Sequence, residues 1–224
     1  MKRLGIYFVL KNKAKKQKFK TFLSPVENMR KDKQKDKLNI LLIGVGGQGI
    51  LTSATILAKA AMYEGKNVIT AETHGMAQRG GSVEVHVRIG NVYAPLIPEG
   101  RADYVISLEM SEILRYTNYI NDETIAIVSE DKIAPPSVSR GEAKYPEKNV
   151  IESITDKIYF LNAREIANKA GNVLASNVVV LGAFCRLCDY LSLESMEKAI
   201  FGVFPQKLVD VNLKALRMGY ESIV

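Results

Sequence analysis

The chain is poor in cysteine and has no long apolar run, and both absences narrow its function. Two cysteines in 224 residues are too few for a disulfide scaffold, and an iron–sulfur cluster held by this chain would need four thiolates. No stretch of ~18 apolar residues occurs, so we expect no membrane-spanning helix. With 47% hydrophobic and 25% charged residues, the composition is close to that of an average soluble globular protein. We expect a cytoplasmic protein that holds no metal.

Basic residues are concentrated at the amino terminus. Residues 1–38 contain 13 Lys or Arg and three acidic residues, a charge of +10, whereas the remaining 186 residues carry 18 basic and 21 acidic groups, a charge of −3. Because such runs repel themselves, we interpret residues 1–38 as a basic, disordered N-terminal extension. It could be a polybasic arm for RNA, or Met29 could be the natural start. A secretory signal is rejected, since lysines follow the apolar stretch Leu4–Leu10.

The rest of the chain alternates between strand and helix patterns. Apolar runs predict strands at 39–43, 67–71, 83–89, 104–108, 124–128 and 158–161. Helical spacing predicts helices at 50–63, 111–119, 163–169, 177–191, 194–201 and 206–220. The alternation in 83–89 predicts one buried and one polar face, and 130–150 reads as a long irregular loop. Residues 39–224 therefore predict an α/β domain with an open, mostly parallel, doubly wound (Rossmann-like) sheet and a helical C-terminal tail.

The first strand ends in a glycine-rich turn that opens a helix. The turn is a GxGxxG with a fourth glycine, Gly44-Val45-Gly46-Gly47-Gln48-Gly49, a pattern that lets a phosphate approach the backbone at a helix N-terminus. A Walker loop is excluded, because Ile50 and Leu51 stand where Lys and Ser/Thr are needed. A purely structural turn stays open. A stand-alone NAD(P)-dependent oxidoreductase, in which Glu72 binds a ribose hydroxyl of the cofactor, is a second open alternative.

A second glycine-rich segment follows the second strand, His74-Gly75-Met76-Ala77-Gln78-Arg79-Gly80-Gly81-Ser82. If both strands end at the same sheet edge, the two loops would form a pocket of backbone amides with Arg79 as its cation. Glu109 follows a buried strand, where α/β sheets place ligand contacts. The predicted binding residues are Gly44, Gly46, Gly47, Gln48, Gly49, His74, Gln78, Arg79, Gly80, Gly81, Ser82 and Glu109.

The two loops together resemble the gamma component of 2-oxoacid:ferredoxin oxidoreductases, and more narrowly the beta subunit of indolepyruvate ferredoxin oxidoreductase. The likeness covers roughly residues 39–220. It extends to Pro95-Leu96-Ile97, Ala102-Asp103, the stretch from Glu109 to Arg115, and Tyr145-Pro146.

The resemblance implies an accessory subunit, inactive alone, of an enzyme that converts a 2-oxoacid such as indolepyruvate and coenzyme A to an acyl-CoA and CO₂. Two electrons pass to ferredoxin, which requires thiamine diphosphate and iron–sulfur clusters in the holoenzyme. The chain has no Gly-Asp-Gly motif and only two cysteines, so we expect both groups on a partner subunit. We hypothesise that the glycine loops contact the coenzyme A phosphates or shape the passage to the thiamine site. No catalytic residue is assigned.

Several other polar or reactive residues have simpler interpretations. His86 is expected to be structural or solvent-exposed, and Cys185 and Cys188 to be buried small residues in a helix. Glu112 and Arg115, three residues apart, are expected to form a surface ion pair. The acidic body makes nucleic-acid binding an unfavoured alternative.

Overall fold

The computed structural model describes residues 36–74 and 81–223. Its strands are β1 (Lys37–Val45), β2 (Val68–His74), β3 (Ser82–Gly90), β4 (Tyr104–Ser107), β5 (Ile125–Ser129) and β6 (Ile158–Leu161). Its helices are α1 (Ile50–Tyr63), α2 (Pro136–Ser139), α3 (Lys148–Glu152), α4 (Ala163–Ala170), α5 (Ser176–Leu187), α6 (Leu193–Val203) and α7 (Gln206–Glu221). Almost all of the predicted N-terminal extension lies outside the described residues.

The strands form one sheet in the order β2-β3-β1-β4-β5-β6. The pairings β1–β4, β4–β5 and β5–β6 are parallel, whereas β3 is antiparallel to both β1 and β2. Five of the six strands therefore run in one direction, and the prediction of an open, mostly parallel α/β sheet is confirmed. Their carboxyl ends meet at one sheet edge, where ligands bind in such folds.

One face of the sheet carries the helices. Apolar side chains of β1 and β3 pack against α1 and against α4 to α7 in a continuous buried core. The α5–α7 contact is close enough to require glycine: a Cβ on Gly182 would lie 2.0 Å from the Leu216 carbonyl oxygen, and one on Gly219 would lie 2.0 Å from that of Val179. This rigid helical layer confirms the predicted helical tail. No helix in the described residues is long and apolar enough to cross a membrane.

The opposite face is covered by loops and short helices, which corrects the prediction of a polar face on β3. His86 is fully buried and accepts a hydrogen bond from the Ile97 amide (3.2 Å). Arg88, also buried, donates to the carbonyls of Ala94 (2.7 Å) and Leu96 (2.9 Å). The segment after β3 thus folds back over this face, and its backbone satisfies the polar side chains that the alternation had assigned to solvent. Of the two readings of His86, the structural one is correct.

Three predicted segments differ from the structure because contacts with distant residues override the local sequence pattern. Residues 111–119 form two 3₁₀ turns, Glu112–Arg115 and Thr117–Tyr119, since their last carbonyls accept from the amides of Gly100 and Ala102. The helix predicted at 177–191 ends at Leu187, whose carbonyl accepts from the Tyr104 hydroxyl (2.7 Å). The loop predicted at 130–150 contains α2 and α3, because Ile151 of α3 packs into the second core.

Candidate functional site

The first glycine loop connects β1 to α1 and is braced by its own glutamine. The Gln48 side chain accepts from the Val45 amide (2.8 Å) and donates to the Leu108 carbonyl (2.7 Å). It therefore ties the loop to the end of the neighbouring strand β4. Gly44 leaves room for this bridge, since a Cβ there would lie 2.8 Å from the Gln48 Oε1.

The second bracing contact joins the loop to α5. Gly49 is the N-cap of α1 in a left-handed conformation (φ 81°), and no side chain caps this helix. The Asn177 Nδ2 donates to the Gly49 carbonyl (3.1 Å) and to the Ser53 Oγ (3.2 Å). A Cβ on Gly49 would lie 2.8 Å from that nitrogen. Glycine is thus needed at 49 both for its backbone angle and for the close approach of Asn177.

The described end of the second glycine loop lies against the first loop, as expected if their strands end at the same edge. The Gly46 amide donates to the Gly81 carbonyl (2.9 Å), so the end of the second loop touches the first. His74 ends β2, but its side chain lies outside the described part of the structure. Gln78, Arg79 and Gly80 lie outside it as well, so their role stays a prediction.

A cleft of about 530 Å³ opens beside the first loop, within the size range of small-molecule sites. It is lined by Gly46, Gly47, Gln48, Gly49, Thr52, Asp131, Ile133, Arg164, Val173, Leu174, Ser176, Asn177 and Phe204. The lining includes the first turns of α1, α4 and α5. Three helix dipoles therefore present their positive ends to one cleft.

Two charged side chains of opposite sign also line the cleft. Arg164, in the first turn of α4, is exposed and forms no hydrogen bond or ion pair with another described residue. Asp131 follows β5, and burial raises the pKa of its carboxyl group, although the nearby Arg164 opposes that rise. The cleft therefore carries an exposed cation and a carboxyl group whose negative charge burial disfavours.

Glu109 is fully buried and its carboxylate is saturated with hydrogen bonds. It accepts from the amides of Ser111 (2.8 Å), Glu112 (2.9 Å) and Ile133 (3.1 Å), and from the hydroxyls of Ser111 (2.8 Å) and Tyr145. Burial and the bond to Glu109 together raise the pKa of the Tyr145 phenol. Glu109 therefore joins the loops after β4 and β5, behind the cleft lining.

Ser82 belongs to a second polar cluster, on the sheet face away from the helices. Its hydroxyl donates to the Glu112 carboxylate and lies 2.8 Å from the Tyr116 hydroxyl. Glu112 is buried and also accepts from the Arg115 Nε (3.1 Å). Glu112 and Arg115 do form the expected ion pair, but its placement at the surface is wrong for Glu112. That side chain is buried and holds the start of β3 through its hydrogen bond with Ser82.

The strand order removes the structural basis for a dinucleotide site at Glu72. In a dinucleotide-binding fold the acidic residue ends the strand next to β1. Here β3 lies between β1 and β2, which places β2 two strand spacings, roughly 10 Å, from the glycine turn. Glu72 instead lines a separate groove between β2 and α1, together with Leu51 and Thr70.

Both cysteines are buried at the end of α5. Burial raises the pKa of the Cys185 thiol to about 12 and also raises that of Cys188. Thiols of this kind are unreactive and do not favour metal binding. Their interpretation as small buried residues is confirmed.

Comparison with known proteins gives the family. The family described as pyruvate ferredoxin/flavodoxin oxidoreductase matches residues 39–222. The chain belongs to this family. Indolepyruvate oxidoreductase subunit IorB of Archaeoglobus fulgidus is 55% identical over 196 residues, covering 84% of this chain and 96% of the relative. The same subunit of Pyrococcus horikoshii is 41% identical and covers 82% and 95%.

Solved structures of this oxidoreductase family agree with the fold. The keto/oxoacid ferredoxin oxidoreductase gamma subunit of Geobacter sulfurreducens superposes with a TM-score of 0.64 at 26% identity, covering 82% of this chain and 96% of that one. The resemblance stated from the two glycine loops is therefore confirmed. The prediction of an accessory subunit of a ferredoxin-dependent 2-oxoacid oxidoreductase is confirmed too, and the stand-alone NAD(P) enzyme is not supported.

Three cleft residues in this family member escaped the sequence analysis. Asp131 and Arg164 come two and three residues after the parallel strands β5 and β6 end, at the edge where such sheets bind ligands. Asn177 is the second residue of a helix that is apolar from Val178 to Cys185. Position after a parallel strand could have identified the first two, whereas the contact of Asn177 with Gly49 spans 128 residues of sequence.

Proposed function

We propose that the cleft beside Gly44–Gly49 binds the phosphates of coenzyme A for a 2-oxoacid:ferredoxin oxidoreductase that acts on indolepyruvate or a related arylpyruvate. The substrate class is supported by relatives named indolepyruvate oxidoreductase subunit IorB at 55% and 41% identity. In this reaction a 2-oxoacid and coenzyme A give an acyl-CoA and CO₂, and two electrons pass to ferredoxin.

The observation that carries the coenzyme A proposal is the convergence of three helix N-termini on one cleft. The Gly49 carbonyl accepts the first ladder bond of α1, from the Ser53 amide (2.9 Å). The earlier amides of α1 therefore have no intrahelical partner and remain as donors. A phosphate placed at such a helix end gains hydrogen bonds and a favourable dipole.

Arg164 supplies the positive side chain of the cleft. Its guanidinium matches the geometry of phosphate oxygens, and it lies in the first turn of α4, whose dipole also favours an anion. The sequence predicts that Arg79 of the second glycine loop is also a cation of the binding pocket. Arg164 is a cation that lines the cleft, so the proposal includes both arginines.

Part of the cleft lining is apolar. This part includes Val173, Leu174 and Phe204, and the Leu174 side chain is 82% exposed. Exposed apolar groups beside an anion site suit a ligand with a phosphate and a less polar body, such as the pantetheine arm or adenine of coenzyme A. Among the predicted residues, Gly46, Gly47, Gln48 and Gly49 line the cleft. Glu109 accepts from the amide of the cleft residue Ile133, whereas Ser82 belongs to the separate polar cluster with Glu112.

We further propose that thiamine diphosphate and the iron–sulfur clusters lie on a partner subunit. The sequence lacks a Gly-Asp-Gly motif, and its two cysteines are buried with raised pKa values. When bound in the complex, thiamine diphosphate supplies carbanion stabilisation and the clusters carry single electrons. This chain would then bind and orient the acyl acceptor. The cytoplasmic location expected from the sequence stays a prediction.

Calorimetry of coenzyme A binding to the complex of this chain with its partner tests the proposal. Arg164→Ala is expected to weaken binding about tenfold, the effect of losing ~1.4 kcal/mol from a charge-assisted hydrogen bond. Arg217→Ala is the matched control, because this exposed arginine pairs with Glu197 on α6 and does not line the cleft. Equal affinity in the wild type and both variants would contradict the assignment of Arg164 to this site.

A further inference from the structure

Helix α1 begins without the side-chain cap that usually fixes the first turn of a helix. Its N-cap is Gly49, which has no side chain to accept an amide, and no other side chain caps the helix. The amides of the first turn are thereby left for a ligand. A glycine N-cap also lacks the side-chain hydrogen bond to a first-turn amide that normally stabilises the start of a helix.

Three donors instead converge on the Gly49 carbonyl oxygen. They are the Ser53 amide (2.9 Å), the Ser53 hydroxyl (3.0 Å) and the Asn177 Nδ2 (3.1 Å). The Asn177 nitrogen also donates to the Ser53 hydroxyl oxygen (3.2 Å), which closes a small network. The first turn is therefore held through the Gly49 carbonyl oxygen. The amides that precede that of Ser53 take no part in this network.

Fixing this carbonyl also fixes the direction of one amide. The carbonyl of Gly49 and the N–H of Ile50 belong to the same planar trans peptide, in which the two groups point in opposite directions. A carbonyl held by three donors on the helix side therefore directs the Ile50 N–H toward the mouth of the helix. That is the direction in which an anion binds at a helix N-terminus.

Asn177 is well placed to impose this orientation. It is 4% exposed, it lines the cleft, and it sits at the start of α5. That helix is locked against α7 by the backbone contacts at Gly182 and Gly219. The asparagine amide thus transmits the position of a rigid helix pair to the glycine loop.

We propose that Asn177 is a positioning residue for coenzyme A binding: by holding the Gly49 carbonyl and the Ser53 hydroxyl, it aims the first-turn amides of α1 at a ligand phosphate. This inference rests on the proposed function, because it assumes that the phosphates bind at this cleft. It predicts that Asn177 affects the acyl acceptor and not the 2-oxoacid.

The test is steady-state kinetics of the complete complex with indolepyruvate, coenzyme A and an electron acceptor. Asn177→Ala removes the donor and is expected to raise KM for coenzyme A about tenfold. The KM for indolepyruvate and kcat at saturating coenzyme A are expected to stay unchanged. Asn177→Asp keeps the volume but replaces the donor with a negative charge beside the anion site, so its KM for coenzyme A should rise further.

Asn212→Ala is the matched control. Asn212 is equally buried at 4% exposure, yet among the described residues its side chain donates only to the Leu208 carbonyl of its own helix. It should lose stability as Asn177→Ala does while its KM for coenzyme A remains that of the wild type. If Asn177→Ala does not fold, Asn177→Leu decides, because it keeps the volume and removes the donor without adding a charge.

The outcomes separate the inference from the function on which it rests. Unchanged coenzyme A affinity in Arg164→Ala contradicts the proposed function itself. Weakened coenzyme A binding in Arg164→Ala, together with Asn177 variants of unchanged KM for coenzyme A, overturns only the positioning role. Variants in which kcat and both KM values change together would also overturn it, because that pattern indicates a general structural defect.

Discussion

Replacing Gly49 by alanine should damage the glycine loop for two separable reasons. The left-handed backbone at 49 (φ 81°) costs a residue with a Cβ ~1–2 kcal/mol. The new Cβ would also lie 2.8 Å from the Asn177 Nδ2, and overpacking of this kind costs ~1–3 kcal/mol. We therefore expect Gly49→Ala to lower the free energy of unfolding by roughly 2–5 kcal/mol.

Gly47→Ala separates the two contributions. Gly47 also has a positive φ (104°), but a Cβ there would meet nothing within 4 Å. Its substitution should therefore cost only the backbone strain, ~1–3 kcal/mol. The distinguishing quantity is the coupling with Asn177, because removal of that side chain relieves the clash at 49 and leaves the strain at 47 untouched.

Urea unfolding of the full chain, followed by circular dichroism, measures this coupling in a double-mutant cycle. Gly49→Ala combined with Asn177→Ala should be less destabilising than the sum of the single effects by ~1–3 kcal/mol. Gly47→Ala with Asn177→Ala should be additive within ~0.5 kcal/mol. Additivity in both pairs would refute the close contact between Asn177 and the loop.

Three further predictions concern other residues. Asp131→Asn should tighten coenzyme A binding measured by calorimetry and raise the free energy of unfolding at neutral pH. Because burial raises the pKa of Asp131 in the folded state, this gain in stability should vanish once the pH falls below 3.8, the ordinary pKa of the carboxyl group. Burial would raise the pKa of Glu64, but hydrogen bonds from Lys66, Ser195 and Ser192 lower it to about 2. Glu64→Gln should therefore cost stability above pH 4.5, and urea unfolding at lower pH should show the difference from wild type shrinking toward pH 2. Gly219→Ala places a Cβ 2.0 Å from the Val179 carbonyl oxygen and should lower the free energy of unfolding by ~3 kcal/mol or more. Gly65→Asn, at a site where a Cβ would meet nothing within 4 Å, should change it little in the same unfolding assay.

Patterns local in sequence predicted the part of the site that local geometry determines. The apolar run of β1, the glycine turn and the helix after it appear in the structure where the spacing places them. The Asn162 cap, which accepts from the Glu165 amide (3.1 Å), and the Gly171 end of α4 follow the same logic. These features depend on neighbours within a few residues, which a sequence displays directly.

Contacts between distant residues account for what the sequence did not predict. The alternation in β3 correctly marked its inner face, but the segment that covers His86 and Arg88 lies outside that pattern. The same holds for Asn177, whose partner Gly49 is 128 residues away. The position of β3 between β1 and β2 is likewise a matter of strand pairing, which apolar runs do not encode.

The most direct test of the account is a crystal structure of the complete complex with coenzyme A bound. The account predicts a coenzyme A phosphate at hydrogen-bond distance, ~2.7–3.2 Å, from the first-turn amides of α1, with the Arg164 guanidinium on its other side. Density for the phosphates elsewhere, with this cleft filled by side chains of the partner subunit, would contradict the central claim. The glycine loops would then be an interface between subunits and not the site of the acyl acceptor.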